Sequence, residues 1–294
     1  MNLSNFSKTK KLVMGNLREV ATLLLPPLIV KIIKKMMRLL GTPLGYEYVG
    51  VYNEYDEAVK IAGFYEQQDV VQAKAQKFDP SSISLIQKKD IDEVEKGIIA
   101  AIFYSFSNTH SFPKTIIDFG GEMGIHYLTY LKVCKSPIKW IVVEAPMMAS
   151  MGRDKWIGNQ EIVFTDSLDR SSISDEDEDI VLLIASGVLQ YLDNPYQYLE
   201  KMISLRPQFI YLDKLPILQN EESDFISVAY VPHQIYGISY KVPVWFFSSS
   251  KMMNFFQLSG YQVVFEFIVP TYKAYLNGKL LLDNYKAIFL KKVL

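Results

Sequence analysis

Residues 115–131, TIIDFGGEMGIHYLTYL, decide the reading of the fold. TIIDF (115–119) is an apolar run suited to a strand buried on both faces. Glycines at 120, 121 and 124 then let the chain turn sharply into a helix that starts at IHYLTYL. In an open parallel sheet, ligands bind beyond the carboxyl ends of the strands, at the switch point in strand order. A helix that begins there offers free N–H groups and a partial positive charge. Asp118, Gly120, Gly121, Glu122 and Gly124 therefore become candidate binding residues.

Outward from this loop the chain alternates. IKWIVVE (138–144), EIVFTD (161–166), DIVLLIAS (179–186) and PQFIYLDKL (207–215) read as strands with helical segments between them. That pattern implies βαβ units and a parallel sheet. YQVVFEFIV (261–269) and YKAIFLKKV (285–293) follow without a long helix between them and read as an antiparallel pair closing the sheet. The expected fold is α/β: a Rossmann-like, doubly wound, mostly parallel sheet with an antiparallel C-terminal strand pair, preceded by a helical N-terminal region.

Upstream, Asp90 is expected to cap a helix over about 91–107 whose apolar face carries Ile91, Val94, Ile98, Ile99, Ile102, Phe103 and Phe106. Residues 46–77 read as two short helices joined near Gly63, with Asp56 as a cap. FDPSSIS (78–84) is loop chemistry, and the acidic run 175–179 reads as a solvated loop. The expected domains are residues 1–89, a helical N-terminal region, and residues 90–294, the α/β domain.

Residues 1–40 hold eight Lys and Arg against the single acid Glu19. The apolar run 20–30 is broken by Pro26 and Pro27 and is far shorter than the about 20 residues a membrane span needs. After Pro27, apolar side chains recur at helical spacing with lysines between them. A basic amphipathic helix of this kind can lie on an anionic membrane surface or pack on the main domain with its lysines solvated. The formal net charge of −1 gives no overall signal for nucleic acid. The lone Cys134 rules out a disulfide framework and zinc spacings. No metal site is expected.

The loop chemistry narrows the ligand. A dinucleotide loop has the pattern G-x-G-x-x-G, but counting from Gly120 puts Glu122 and Ile125 at the other two glycine positions. A pyrophosphate would also meet the Glu122 carboxylate, and no G-x-x-x-x-G-K-[ST] loop for ATP occurs. S-adenosyl-L-methionine has no phosphate, and its amino and sulfonium groups are cationic. Glu144, ending the second strand of the sheet, can accept both ribose hydroxyls. Asp166, ending the third, can meet the adenine amino group, and Ser186, ending the fourth, lies beside the expected methyl position.

These segments resemble class I S-adenosylmethionine-dependent methyltransferases. More narrowly, the chain is similar to a bacterial methyltransferase family associated with surface-carbohydrate (lipopolysaccharide or O-antigen) biosynthesis. The resemblance covers roughly residues 45–294. It rests on YVGVYNEYDEAVKIAGFY, IIDFGGEMGIHYLTYL, KWIVVEAPMMASMGRDKW, IVFTDSL, LLIASGVLQYLDNPYQYLEKM and LSGYQVVFE. By position it assigns cofactor roles to Asp118, Gly120, Gly121, Gly124, Glu144, Asp166 and Ser186. Glu122 departs from the family pattern, which has glycine there. The resemblance implies an enzyme that methylates a hydroxyl or amine of a surface-glycan sugar or its lipid-linked precursor. The basic helix within residues 1–40, outside the resemblance, would suit a cytoplasmic enzyme working at the inner membrane face.

A sugar hydroxyl acceptor gains from a general base. His126, in the first turn of the helix after the loop, and His233, between the fifth strand and the terminal pair, are the candidates. Each also has a plain structural reading, His126 as a packed residue under the cofactor and His233 as a loop residue. Tyr230, Tyr236 and Tyr240 would stack on a sugar ring, and PVWFFSS (243–249) reads as core or as a hydrophobic wall. Three other functions stay open: a non-catalytic methyltransferase-fold scaffold in glycan assembly, a methyltransferase for an unrelated small molecule, and an NAD-dependent sugar enzyme.

Overall fold

The computed structural model describes residues 46–63, 68–78, 80, 91–110, 114–134, 136–173, 179–231, 239–270 and 273–293. The basic segment 1–40, most of the 78–84 loop, the acidic residues 175–178, His233 and Tyr236 lie outside the described residues.

Five apolar runs form the parallel heart of a sheet: β2 (Thr115–Phe119), β3 (Lys139–Val143), β4 (Ile162–Thr165), β5 (Ile180–Ser186) and β6 (Phe209–Leu215). β13 (Tyr285–Lys292) pairs antiparallel with β6, and β10 (Tyr261–Val269) antiparallel with β13. The seven-stranded order is β10-β13-β6-β5-β2-β3-β4. This is the expected Rossmann-like, doubly wound sheet with its antiparallel C-terminal pair. The chain runs outward from β2 through β3 to β4, then returns to β5 on the other flank of β2. The switch point therefore lies at the carboxyl ends of β2 and β5.

Successive side chains on a strand face opposite sides. Ile116, Leu182, Ile184 and Tyr211 accordingly enter one core with Ile98 and Ile102 of α3 (Glu93–Ser107) and Tyr127 and Tyr130 of α4 (Ile125–Val133). Ile117, Leu183, Ala185 and Ile210 enter the other with Leu199 and Met202 of α7 (Pro195–Ser204) and Met252 and Phe256 of α8 (Ser249–Leu258). The continuous apolar runs arise because both faces are covered. α3 starts two residues later than its expected cap. Asp92, not Asp90, accepts the Glu95 N–H, and the Glu95 carboxylate accepts the Asp92 N–H, completing a capping box.

A second, six-stranded sheet was not expected. Its order is β12-β11-β1-β8-β9-β7, from β1 (Tyr46–Tyr52), β7 (Ile217–Leu218), β8 (Phe225–Val231), β9 (Tyr240–Ser248), β11 (Ala274–Leu276) and β12 (Lys279–Leu282). β1 takes only the first seven residues of the 46–77 stretch, and the two expected short helices follow it on either side of Gly63. It pairs parallel with β11 and antiparallel with β8, so strand pairing crosses the boundary expected at residue 90. Two helices follow β1: α1 (Tyr55–Ala62) and α2 (Gln68–Lys77). Asp56 lies in the first turn of α1 and is not its cap. Pro243 is tolerated inside β9 because β7 covers only Phe247 and Ser248, which leaves β9 with one neighbour at that point.

The two sheets are tied at the carboxyl end of the main one. The Tyr48 hydroxyl on β1 bonds the Tyr285 hydroxyl on β13. Trp245 Nε1 of β9 donates to the Leu192 carbonyl at 2.9 Å, and the Tyr55 hydroxyl of α1 donates to the Tyr191 carbonyl at 2.8 Å. The second sheet and α1 thus grip the turn that follows β5. Among the described residues no helix is long and apolar enough to cross a membrane.

Candidate functional site

At the switch point the backbone of the 120–124 loop is packed from below. A Cβ on Gly121 would lie 2.2 Å from Asp118 Oδ2, so only glycine fits there. Asp118 is fully buried. It accepts from His126 Nδ1 at 2.9 Å and from Trp140 Nε1 at 3.2 Å. Because the carboxylate only accepts, the His126 proton sits on Nδ1. Trp156 Nε1 donates to the Met123 carbonyl at 2.8 Å and fixes the far end of the loop. Gly124 is the left-handed N-cap of α4.

Above the loop lies a cavity of about 510 Å³. Gly120, Glu122, Glu144, Asp166 and Ser186 all line it. The ends of four parallel strands therefore contribute to one space. Asp118, Gly121 and Gly124 do not line it; they form the layer beneath. His126 is buried beside Asp118 and lines a smaller cavity of about 370 Å³ on the α3 side of the loop, which shares Lys74, Gly120, Glu122, Ser186 and Lys214 with the larger one. Of the tyrosines expected at the acceptor, Tyr240 lines the larger cavity, whereas Tyr230 is half exposed and does not. The PVWFFSS segment is mostly core within β9.

Glu144 carries the main electrostatic feature. Its Oε1 accepts the Glu122 N–H and its Oε2 the Ala145 N–H, each at 3.0 Å. Each oxygen uses one lone pair and keeps one. The side chain reaches the cavity surface but is otherwise enclosed by protein. That burial pushes its pKa up to about 7, against the two backbone N–H bonds, which favour the ionised form; Glu122 adds to the rise and Lys74 opposes it.

Glu122 itself adopts a left-handed backbone, φ 51°, where glycine would be unstrained. Its carboxylate takes an ion pair from Lys74 Nζ of α2 at 2.7 Å, and the Lys74 side chain is only 2% exposed. The departure from glycine thus has a partner. Replacing Glu122 by glycine relieves about 1 kcal/mol of strain. It also removes the Glu122 carboxylate from among the partners of a buried ammonium, which costs more when such a pair is broken from one side. Because Glu122 is about a third open to solvent, the expected net loss in urea unfolding is only about 1–2 kcal/mol. Lys74→Met combined with Glu122→Gly should recover most of it. A more stable Glu122→Gly single variant would show that strain outweighs the pair.

Sequence reasoning missed Lys74, Gln190 and Lys214. Lys74 comes from a helix remote in sequence and carries no local signal. Gln190 lies in the 3₁₀ turn Leu189–Tyr191 after β5, inside the quoted SGVLQYLDNP segment. Lys214 stands near the end of β6, where the strand-end rule used on the first four parallel strands would have found it. Two buried atoms at the cavity have no hydrogen-bond partner, Ser186 Oγ and Gln190 Oε1. Orphaned buried polar atoms are rare and point to a missing ligand or water.

The fold defines a Rossmann-like α/β protein with a cavity at its switch point. No family model and no curated protein matches the chain. Among solved structures it is similar to the CcbJ methyltransferase from Streptomyces caelestis, at 11% identity over 68% of this chain and 90% of that one, TM-score 0.44. It is also similar to CalS10, an amino pentose methyltransferase from Micromonospora echinaspora, at 10% identity over 79% and 99%, TM-score 0.45. A third is the 1,6-didemethyltoxoflavin-N1-methyltransferase of Burkholderia thailandensis, at 14% identity over 79% and 92%, TM-score 0.42. The class stated here rests on strand order and site geometry, and these likenesses add no argument to it.

Proposed function

We propose that the chain is an S-adenosylmethionine-dependent methyltransferase acting on a hydroxyl or amine of a surface-glycan sugar or its lipid-linked precursor. The observation that carries this reading is Glu144 at the second strand end of the parallel sheet, with one lone pair free on each oxygen, beside the glycine loop and over a cavity of about 510 Å³. A pair of vicinal ribose hydroxyls matches those two lone pairs. The volume lies within the range of about 300–1,000 Å³ usual for small-molecule sites.

When bound, S-adenosylmethionine supplies an electrophilic methyl group on a sulfonium. In this reading Glu144 holds the ribose, Asp166 the adenine amino group, and the N-terminus of α4 the methionine carboxylate. Glu122, held by Lys74, presents negative charge to the cationic part. The second sheet shields the acceptor from water and brings Tyr48 and Tyr240 to the cavity, where a sugar ring can stack. Most of the acceleration would come from holding the nucleophile close and in line. Asp118 braces His126 under the loop, which makes His126 a support and leaves proton acceptance to His233. That residue lies in the segment between Val231 and Tyr240, and both of these line the cavity.

Calorimetric titration with S-adenosylhomocysteine and with NAD, followed by labelled-methyl transfer to a panel of lipid-linked sugars, tests the proposal. Heat with the former alone, and label in a glycan, is expected. Heat without transfer favours the scaffold. No heat with S-adenosylhomocysteine contradicts the reading.

A further inference from the structure

Lys214 is built into the cavity at a cost in backbone strain. It sits near the end of β6 with φ 55°, a left-handed conformation that non-glycine residues seldom adopt. The adjacent Asp213, fully buried, accepts the Lys214 N–H on Oδ1 at 2.6 Å and so fixes that conformation. Across the strand ends, Gly187 leaves space for the lysine stem. A Cβ there would lie 2.9 Å from Lys214 Cδ and 3.7 Å from its Nζ. Strain held in place by several neighbours is a mark of a functional position. Among the described residues the Lys214 ammonium makes no direct ion pair, in contrast to Lys74; its charge acts on the neighbouring buried Asp213 carboxylate, whose pKa it holds down against the rise from burial.

Apart from the Glu122–Lys74 ion pair, charge in the cavity is also divided. Glu144, Asp166 and Asp169 stand at the β3 and β4 ends, whereas Lys201 and Lys214 stand on the α7 and β6 side. Gln190, only 3% exposed, lines the same cavity with its Oε1 unpartnered. The flanking carbonyls of Tyr191 and Leu192 are tied to α1 and β9, so the turn bearing Gln190 is held in position. An amide oxygen can only accept, so its missing partner is an O–H or N–H.

We propose that the acceptor is an acidic sugar, whose carboxylate or phosphate is held by Lys214 while a hydroxyl or amine of the same molecule donates to Gln190 Oε1. This deepens the methyltransferase reading and rests on it. An ammonium–carboxylate or ammonium–phosphate hydrogen bond is among the stronger kinds, whereas a neutral hydroxyl in its place is weaker.

The test titrates glucuronate, glucose 6-phosphate and glucose against the full chain saturated with S-adenosylhomocysteine, with acetate and inorganic phosphate as free anions. It compares the native chain with Lys214→Gln and Lys214→Gly; the glycine variant removes the left-handed strain and so guards against misfolding. At least one acidic sugar should bind roughly tenfold tighter than glucose, and the tighter of the two identifies the anion. Both variants should bring it to within about twofold of glucose, with S-adenosylhomocysteine affinity unchanged. Equal binding of glucose, a preference that survives both variants, or free anions binding as well as the sugar acids would overturn the proposal. So would variants that weaken S-adenosylhomocysteine instead, since Lys214 would then belong to the cofactor. If that nucleoside does not bind at all, the methyltransferase reading fails, and the same titrations without it still decide whether Lys214 selects an acidic sugar.

Discussion

Glu144→Ala is expected to weaken S-adenosylhomocysteine binding by about 1.5–3 kcal/mol, roughly 10- to 150-fold. The native carboxylate accepts two backbone N–H groups and has two lone pairs left for the ribose. The alanine variant loses the ligand contact and frees the Glu122 amide that shapes the loop. Binding should also depend on pH, because only the ionised carboxylate accepts both hydroxyls without first giving up a proton. With the folded pKa near 7, affinity should rise with pH, by up to about tenfold per unit below 7, and level off above it. The stability of the ligand-free protein should run the other way. A carboxyl whose pKa is raised from 4.5 to about 7 contributes stability that is lost as pH rises through that window. Glu144→Gln should flatten both profiles. Isothermal titration from about pH 5.5 to 8.5 measures this, and a flat native profile with an unaffected alanine variant would remove Glu144 from the site.

Asp118→Ala is expected to be the most destabilising single change at this site. It strands two buried donors, His126 Nδ1–H and Trp140 Nε1–H, and opens a small void beneath Gly121. Each unsatisfied donor costs about 1–3 kcal/mol. A loss of about 2–4 kcal/mol, or a melting temperature lower by about 5–15 °C, follows for a unit of this size. Asp118→Asn should fall between, since an amide can accept from only one of the two donors. If Asp118→Ala melts as the native protein does but loses nucleoside affinity, then Asp118 touches the ligand directly.

That contrast marks how far the sequence could be read. Four of the five parallel strands were legible because burial on both faces demands the unbroken runs TIIDF, KWIVV, IVLLIAS and FIYLDKL, and such runs declare themselves locally; the edge strand IVFT, with Val163 exposed, showed itself by its apolar run alone. The second sheet was not. β1 finds its partners at β8 and at β11, far along the chain, and its tyrosine alternation leads straight into the helix-forming residues of α1. Pro243 further obscured β9.

The site followed the same logic. The strand-end rule brought Glu144, Asp166 and Ser186 to one cavity, because a strand end fixes position in space. It could not say which of Asp118 and Phe119 faces the cavity, since neighbouring side chains point to opposite sides of the sheet. In the structure Phe119 lines the cavity and Asp118 holds the loop from below. Lys74 was invisible because its partner Glu122 lies 48 residues away, in an ion pair that no local pattern encodes.

The most direct measurement is a crystal structure of the full chain grown with S-adenosylhomocysteine. The account predicts both ribose hydroxyls at about 3 Å from the Glu144 carboxylate oxygens, with the sulfur directed at Ser186 and Gly187 beneath the second sheet. A nucleoside bound elsewhere, or one whose ribose faces away from Glu144, would contradict it.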